Sequence, residues 1–319
     1  MNTKNLTVTK EPDYKIVRYE KKFYKSYAYL FCVSYNKTKL GSSNERVSES
    51  PYGKPIIFLM KFKNEIVGSH SIYPIVLKIK NQDVLGGITT MTMTHPQHRN
   101  KDIFVTLARK THQEAKRKKF GFIYGYANKN SLPGYKKHLG HKEVTPINFI
   151  KIKNVPFKVK EIPKVKEHWF PKNLTSLFED KTLNKKFPVS IKRDDRFIAW
   201  RYKENPHYRY FTSYKPGEFF FIFKKYLDSF HIIDFAGRGT AIHKTLICTA
   251  LETAKKLSCK EISMWIPEHH PIMDLLGKRM TSKLQLQQSL HVKVFDKKLA
   301  PLICHMKNWH YTMGDSDVF

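Results

Sequence analysis

No apolar run in this 319-residue chain approaches the roughly 18 residues that a helix needs to cross a bilayer. A membrane span is therefore not expected. The segment Met1 to Lys10 is polar and lacks the apolar centre of a signal peptide, so a cytoplasmic protein is expected. The four cysteines, Cys32, Cys248, Cys259 and Cys304, are scattered and form no C-x-x-C pair. Neither a zinc site nor a disulfide framework follows from them, and no metal is expected. Acidic residues are scarce: 27 Asp and Glu face 58 Lys and Arg, a formal charge of +31. No RNP, zinc-finger or basic-zipper pattern organises that charge, and lysines are spread along the whole chain. On charge alone nucleic acid stays open as a partner, but the field equally suits a small polyanionic ligand.

What is present is a foldable composition, 41% hydrophobic and 13% aromatic. The length suits two domains of ordinary size. Residues 13–18 read as a short strand, and 19–40 as a helix with Phe23, Tyr27, Leu30 and Phe31 on one face. Strands are expected over 55–62, 65–74, 75–80 and 84–94. Residues 102–119 carry Ile103, Phe104, Leu107, Ala108 and Ala115 at helical spacing and close on four cations before Gly121. A buried strand over 122–127 and a short helix over 131–139 follow. Residues 151–186 hold ten Lys against four acids and read as a basic linker. Beyond it, strands are expected at 208–214, 218–225 and 230–235, then a helix capped by Thr240, a strand at 261–266 and a helix at 271–280. The order strand, turn, helix, strand, helix thus occurs twice, at 84–140 and 230–280. The reading is an α/β protein of two similar halves: a first domain over 1–150, a linker over 151–190 and a second domain over 191–319.

A strand that enters a helix through a polar turn offers the free N–H groups of the first helical turn to an anion. Here that turn runs from His95 to Phe104 and sets Arg99 and Lys101 beside the helix end. The segment 84–144 resembles the acyl-CoA-binding core of the GNAT (Gcn5-related) N-acetyltransferases. The family's R/Q-x-x-G-x-G/A loop stands here as Arg99-Asn100-Lys101-Asp102-Ile103-Phe104. Its strand ending in an N-x-x-S turn stands as Tyr124 to Ser131, with Asn128 and Ser131 in the motif positions. Its K-x-L-G-F ending is matched by Lys137-His138-Leu139-Gly140-His141. Both loop glycines are replaced, by Asp102 and Phe104; Asp102 also reads as an N-cap that would compete with a pyrophosphate for the same N–H groups.

The resemblance implies two GNAT-like halves in tandem, each a mixed, mostly antiparallel sheet flanked by helices, with a degenerate second half. The tail from Trp309 to Phe319 adds a likeness to GNAT proteins of surface-polysaccharide biosynthesis and to enhanced-intracellular-survival acetyltransferases. It implies acetyl-CoA as cosubstrate, with Met91, Met93 and Thr94 holding the thioester from the backbone and the 99–104 loop holding the pyrophosphate. Tyr135 is the implied acid for the departing thiolate. It stands five residues before Gly140, where the family has its tyrosine four before. No glutamate lies in the strand 84–94 to serve as base. His70, the Phe319 carboxylate, Asp315 and Asp317 are the alternatives, with Asp315 and Asp317 also candidates for holding substrate.

An anionic amine, such as an amino-sugar on a nucleotide, is the acceptor that best suits a basic cleft. One rival is a Fem-like transferase drawing its acyl group from tRNA, which the charge would suit, although no long helical arm is evident. Another is a GNAT fold kept for binding without catalysis. A third reading places CoA at the glycine-richer turn Gly237-Arg238-Gly239 of the second half.

Overall fold

The computed structural model describes residues 14–36, 49–153, 155–205, 208–277, 280–284 and 288–316. Two mixed sheets face each other across a shared core. The first is built from β1 (Tyr14–Arg18), β2 (Ile56–Phe62), β3 (Glu65–Ile79), β4 (Gln82–Thr94), β5 (Phe122–Asn128) and β6 (Lys142–Pro146). The second holds β7 (Phe149–Ile152), β8 (Lys166–Glu167), β10 (Phe211–Lys215), β11 (Phe219–Tyr226), β12 (Ser229–Gly237), β13 (Glu261–Trp265) and β14 (Thr281–Leu284). Two strands from late in the chain return to the first sheet. They are β9 (Val189–Ile191), which pairs with β3, and β15 (Gln288–Val294), which lies between β5 and β6.

The halves are therefore not consecutive blocks. Strand β7 belongs to the second sheet, where it pairs with β13 and β14. Strand β15 repays the exchange by running antiparallel to β5 from Gln288↔Asn128 to Val294↔Phe122. The boundaries at 150 and 191 thus cut through both sheets.

On the first sheet lie α1 (Tyr24–Tyr35), α2 (Ile103–Arg117) and α3 (Leu132–Leu139). Helix α2 buries Ile103, Leu107, Ala108, Thr111 and Ala115, three and four residues apart, against the sheet. Helix α1 ends at Tyr35 with Asn36 in the left-handed conformation, short of the expected residue 40; residues 37–48 lie outside the described residues. The expected break between 74 and 75 is absent, since β3 is one strand of 15 residues. Pro74 is tolerated there because β2 pairs only as far as Ile56↔Ile72 and β9 only from Leu77↔Ile191, so no neighbour needs its missing N–H.

The second sheet carries α7 (Gly239–Lys256) and α8 (Pro271–Leu276), with short helices α4 (Thr175–Phe178), α5 (Lys181–Lys186), α6 (Asp195–Ile198) and α9 (Ala300–Ile303) around the junction. Helix α7 starts at Gly239 and has no side-chain cap; Thr240 lies inside it. Helix α8 stops before Gly277, four residues earlier than expected. Residues 197–202 continue α6 through a wide π-type turn, Ala199–Lys203.

Between the sheets lies the core, with Phe122, Tyr124 and Leu290 from one side and Phe220, Ile222 and Trp265 from the other. The tail enters this core: Trp309, Tyr311 and Met313 are buried in it. A network of buried charge fixes it there. Arg193 donates to Asp234 at 2.7 Å, to Asp315 at 2.5 Å and to Thr312 at 3.0 Å. The Tyr202 hydroxyl donates to Asp234 at 2.8 Å, and Arg201 donates to the carbonyls of Gly314 and Ser316. One guanidinium thus serves two carboxylates, which is the satisfied form that buried charge requires.

Candidate active site in the first half

Strands β4 and β5 are parallel but pair only at Gly87↔Ile123 and Ile88↔Tyr124. Beyond those residues they diverge and leave the last six residues of β4 without a partner in β5. The opening is reinforced by a bulge. Ser69 faces Met93 and Ser71 faces Thr90, so Met91 and Thr92 together oppose the single residue His70. Met91 takes φ +49°, a left-handed conformation rare in a non-glycine residue. Its side chain and that of Met93 are buried beside Tyr27 and Leu30 of α1. The Thr92 side chain has the opposite direction and meets the Tyr135 hydroxyl at 3.2 Å.

Tyr135 is the centre of this group. It lies on α3 with 3% of its surface exposed. Its hydroxyl is 3.2 Å from Nε2 of His70, whose Nδ1 is 2.7 Å from the Thr111 hydroxyl on α2. The Thr111 hydroxyl donates to the carbonyl of Ala108 at 2.9 Å. Its single proton is thereby used, so His70 donates from Nδ1 and keeps Nε2 as an acceptor for Tyr135. Full burial, helped by the nearby His291 ring, pushes the His70 pKa down to about 3 and keeps it neutral. The order Thr111, His70, Tyr135, Thr92 is a continuous hydrogen-bonded chain drawn from α2, β3, α3 and β4.

Three more imidazoles close around Tyr135. His291 of β15 lies 4.2 Å from it, centroid to centroid, and His141 lies 4.8 Å away. His141 and His291 share a 2.8 Å contact between their Nδ1 atoms, and His112 of α2 packs on His141 at 5.1 Å. Burial lowers the pKa of His112 to about 2 and of His291 to about 3, and holds His141 lower still. Both nitrogens of His112 and Nε2 of His141 have no hydrogen-bond partner among the described residues. The helical face that carries Ala108, Thr111 and Ala115 also carries His112, and the alternation of Leu290 and Val292 with His291 marks β15. Those signals were available in the sequence, but nothing in it joined the four rings. Among the described residues no group of His, Cys, Asp and Glu has a metal-binding arrangement.

The turn from β4 into α2 is held by His98, whose Nδ1 meets the Tyr14 hydroxyl at 2.8 Å, and by His95, whose N–H donates to the Val67 carbonyl. Arg99, Asn100, Lys101 and Asp102 are exposed, while Ile103 is buried under β3. Asn100 and Asp102 take φ +59° and +51°. Asp102 occupies the N-cap position of α2, yet its side chain caps nothing. The carboxylate therefore leaves the first-turn N–H groups uncovered, and the competition expected for an N-cap does not arise. Phe104 packs on Tyr135 at 5.0 Å; a Cβ on Gly134 would come within 2.6 Å of its ring. Asn128 accepts from the N–H groups of Asn130 and Ser131, so this pair shapes the turn into α3. Thr94 is half-buried at the end of β4.

The structure thus brings together His70, Tyr135, Met91, Met93, Thr94 and the 99–104 loop around the diverging strands. It does not bring Asp315 to them: that carboxylate is buried against Arg193 on the other face of the sheet. Tyr124, at the point of divergence, donates its hydroxyl to the Asp315 carbonyl at 3.2 Å, so the tail passes behind the opening. Asp317 and Phe319 lie outside the described residues.

Residues 15–140 match the acetyltransferase (GNAT) domain family. No curated protein matches the chain. Among solved structures, a GCN5-related N-acetyltransferase from Anabaena variabilis superposes with TM-score 0.68 at 10% identity, over 92% of this chain and 75% of that one. One from Kribbella flavida gives 0.64 at 10%, over 92% and 74%. Eis1 from Mycobacterium abscessus gives 0.63 at 12%, over 92% and 76%. These likenesses establish the fold, two sheets flanked by helices in two GNAT-like halves. The domain matched over residues 15–140 supports N-acetyl transfer as the class of reaction.

Proposed function

We propose that this chain moves an acetyl group from acetyl-CoA to the primary amine of a nucleotide-linked amino-sugar, in the cytoplasm and in the service of surface-glycan synthesis. The observation that supports it most is the divergence of β4 from β5 beside a bulge at Met91 and a buried Tyr135. The pantetheine arm would lie in that opening. Backbone N–H groups of Met91 to Thr94 would polarise the thioester oxygen, and the amide N–H groups at the start of α2, with Arg99 and Lys101, would take the pyrophosphate. Ile103 and Phe104 would contribute backbone N–H groups only, because their side chains are committed to β3 and α3.

Attack of the amine on the thioester carbon forms a C–N bond, and collapse of the tetrahedral adduct breaks the C–S bond. The thiolate then needs a proton, and Tyr135 is the hydroxyl placed to give it. His70 is a positioning residue in this scheme. Both its nitrogens are engaged and its ring is fully buried, so it does not meet the amine. The base that deprotonates the amine is assigned to the tail, at Asp317. Asp315 is withdrawn from substrate binding by its bond to Arg193.

The test is calorimetric titration with acetyl-CoA, followed by turnover with nucleotide amino-sugars. A charge-assisted phosphate contact of about 1.5–3 kcal/mol predicts that Arg99→Ala weakens acetyl-CoA binding roughly ten- to hundredfold. Equal affinity in the variant would remove the pyrophosphate from this loop. Acetylation of amines but not of any nucleotide amino-sugar would keep the enzyme and discard the acceptor.

A further inference from the structure

The second half repeats the strand, turn and helix of the first, and there the turn does keep its glycines. Strand β12 pairs with β13 only from Ser229↔Glu261 to Ile232↔Met264 and then runs on to Gly237 with β11 alone as its partner. A turn with Gly237 at φ +135° and Gly239 at φ +83° leads into α7, an 18-residue helix whose first turn has no side-chain cap. A cavity of about 380 Å³ opens at this helix end. It is closed on one side by α4, α5 and the residues between them, and Leu177 and Phe178 give it an apolar wall.

Its other walls are basic. Arg238 and Lys186 line it, as do His243, His270 and His310. The one carboxylate among the lining residues is Asp180, which is spent on the N–H groups of Thr182 and Leu183 and lies 3.5 Å from Arg238. His270 is 1% exposed and caps α8: its Nδ1 accepts from the N–H of Ile272 at 3.2 Å. A neutral ring that accepts at Nδ1 carries its proton on Nε2. Among the described residues that Nε2 donor is buried without a partner, and so is Nε2 of His310, a residue 6% exposed. A buried donor left unmade costs about 1–3 kcal/mol, so it marks a place where an acceptor is missing. His270 lies 5.6 Å from His243 and 5.4 Å from His310, ring to ring.

We infer that this cavity is a second, separate anion site, which takes the phosphoryl end of a small phosphorylated molecule against the start of α7, Arg238 and the His270 donor. The first-turn N–H groups and the helix dipole favour a dianion. The imidazoles are held neutral by burial, helped at His270 by the His310 and His243 rings and at His310 by Arg193, so His270 meets the anion as a neutral Nε2–H donor. The site does not depend on the first-half loop.

The experiment is titration of inorganic pyrophosphate into the full chain carrying Arg99→Ala and Lys101→Ala, which disable the first-half loop. One site is expected to remain, visible as a saturable heat. Adding Arg238→Ala should weaken it tenfold or more. His270→Asn keeps an acceptor for the Ile272 N–H, removes the Nε2 donor, and should weaken it severalfold. Displacement of pyrophosphate by CoA would identify a second CoA as the occupant, and displacement by a sugar phosphate would identify an acceptor-like ligand. No binding in the double variant would overturn the inference. Binding that neither Arg238→Ala nor His270→Asn alters would overturn it too.

Discussion

Acidification should unfold this protein early, and the buried histidines set the size of the effect. His70, His112, His141 and His291 are all held neutral in the fold by burial, with pKa values pushed far below the ordinary 6.5. In the unfolded chain each recovers a pKa of about 6.5. Below that pH the unfolded state binds protons that the folded state refuses, so stability is full above about pH 6.5 and falls as pH drops. At pH 5.5 the loss is about 1.4 kcal/mol for each ring, or about 6 kcal/mol for the four. His270 and His310 add to it in the same direction. Asp315, raised by burial and by Asp234, works the other way, but it is one group against six. Since domains hold only about 5–15 kcal/mol, half or more of the stability should be gone by pH 5.5. Urea unfolding followed by tryptophan fluorescence at pH 7.5 and 5.5 measures this. His112→Leu supplies the control, because both nitrogens of His112 are unpartnered. The variant should be no less stable at neutral pH and should flatten the pH slope by about one proton. A stability that is flat between pH 7.5 and 5.5, or a slope that His112→Leu leaves intact, would refute the neutral-cluster reasoning.

Tyr135→Phe should lower kcat about a hundredfold while acetyl-CoA affinity stays within a few-fold, as expected for loss of a proton donor; an unchanged kcat in steady-state assays would take the acid role away from it. Arg193→Met leaves Asp234 and Asp315 buried without their cation and should cost about 3–5 kcal/mol, read as a lower urea midpoint. Deleting Asp317 to Phe319 should cut turnover and leave acetyl-CoA binding nearly intact in calorimetry. Full turnover in that deletion would mean that the base lies elsewhere.

Much of the first half was legible because its signals are local. The spacing of Leu107, Ala108, Thr111 and Ala115 places α2, and the loop and the N-x-x-S turn fall where the resemblance puts them. What escaped the sequence is what depends on partners far away. The strands at 149–152 and 288–294 were missed, the first falling at the edge of the expected linker, and alternation alone could not have said which sheet either joins. The pairings Ile262↔Ile152 and Leu290↔Tyr126 are settled by the joint core. Pro74 breaks a local reading of β3 because the free edge that tolerates it exists only after β2 and β9 have docked. Thr92 and Thr111 carry no motif; they matter because a bulge and a helix turn bring them to Tyr135 and His70. Asp315 read as a candidate for base or substrate binding, and it is Arg193, 122 positions away, that takes its carboxylate instead.

The loss of both loop glycines bears differently on the two things a glycine supplies, a left-handed backbone and room for a ligand. The first is retained without it. Asp102 itself takes φ +51° and Asn100 takes φ +59°, and Asp and Asn are the side chains that bear this conformation at least cost. The second is redistributed. At position 104 the bulk of a phenylalanine is matched by Gly134 on α3, which leaves space for the ring at 2.6 Å from where a Cβ would stand. The exchange turns Phe104 towards Tyr135 and His70, at 5.0 and 6.3 Å between ring centroids. The loop therefore keeps the conformation that exposes its N–H groups, while the side chain that replaces glycine becomes a wall of the chamber around the hydroxyl. In the second half the turn keeps its glycines, with Gly237 at φ +135° and Gly239 at φ +83°, so there the left-handed backbone and the open space come from the same residues.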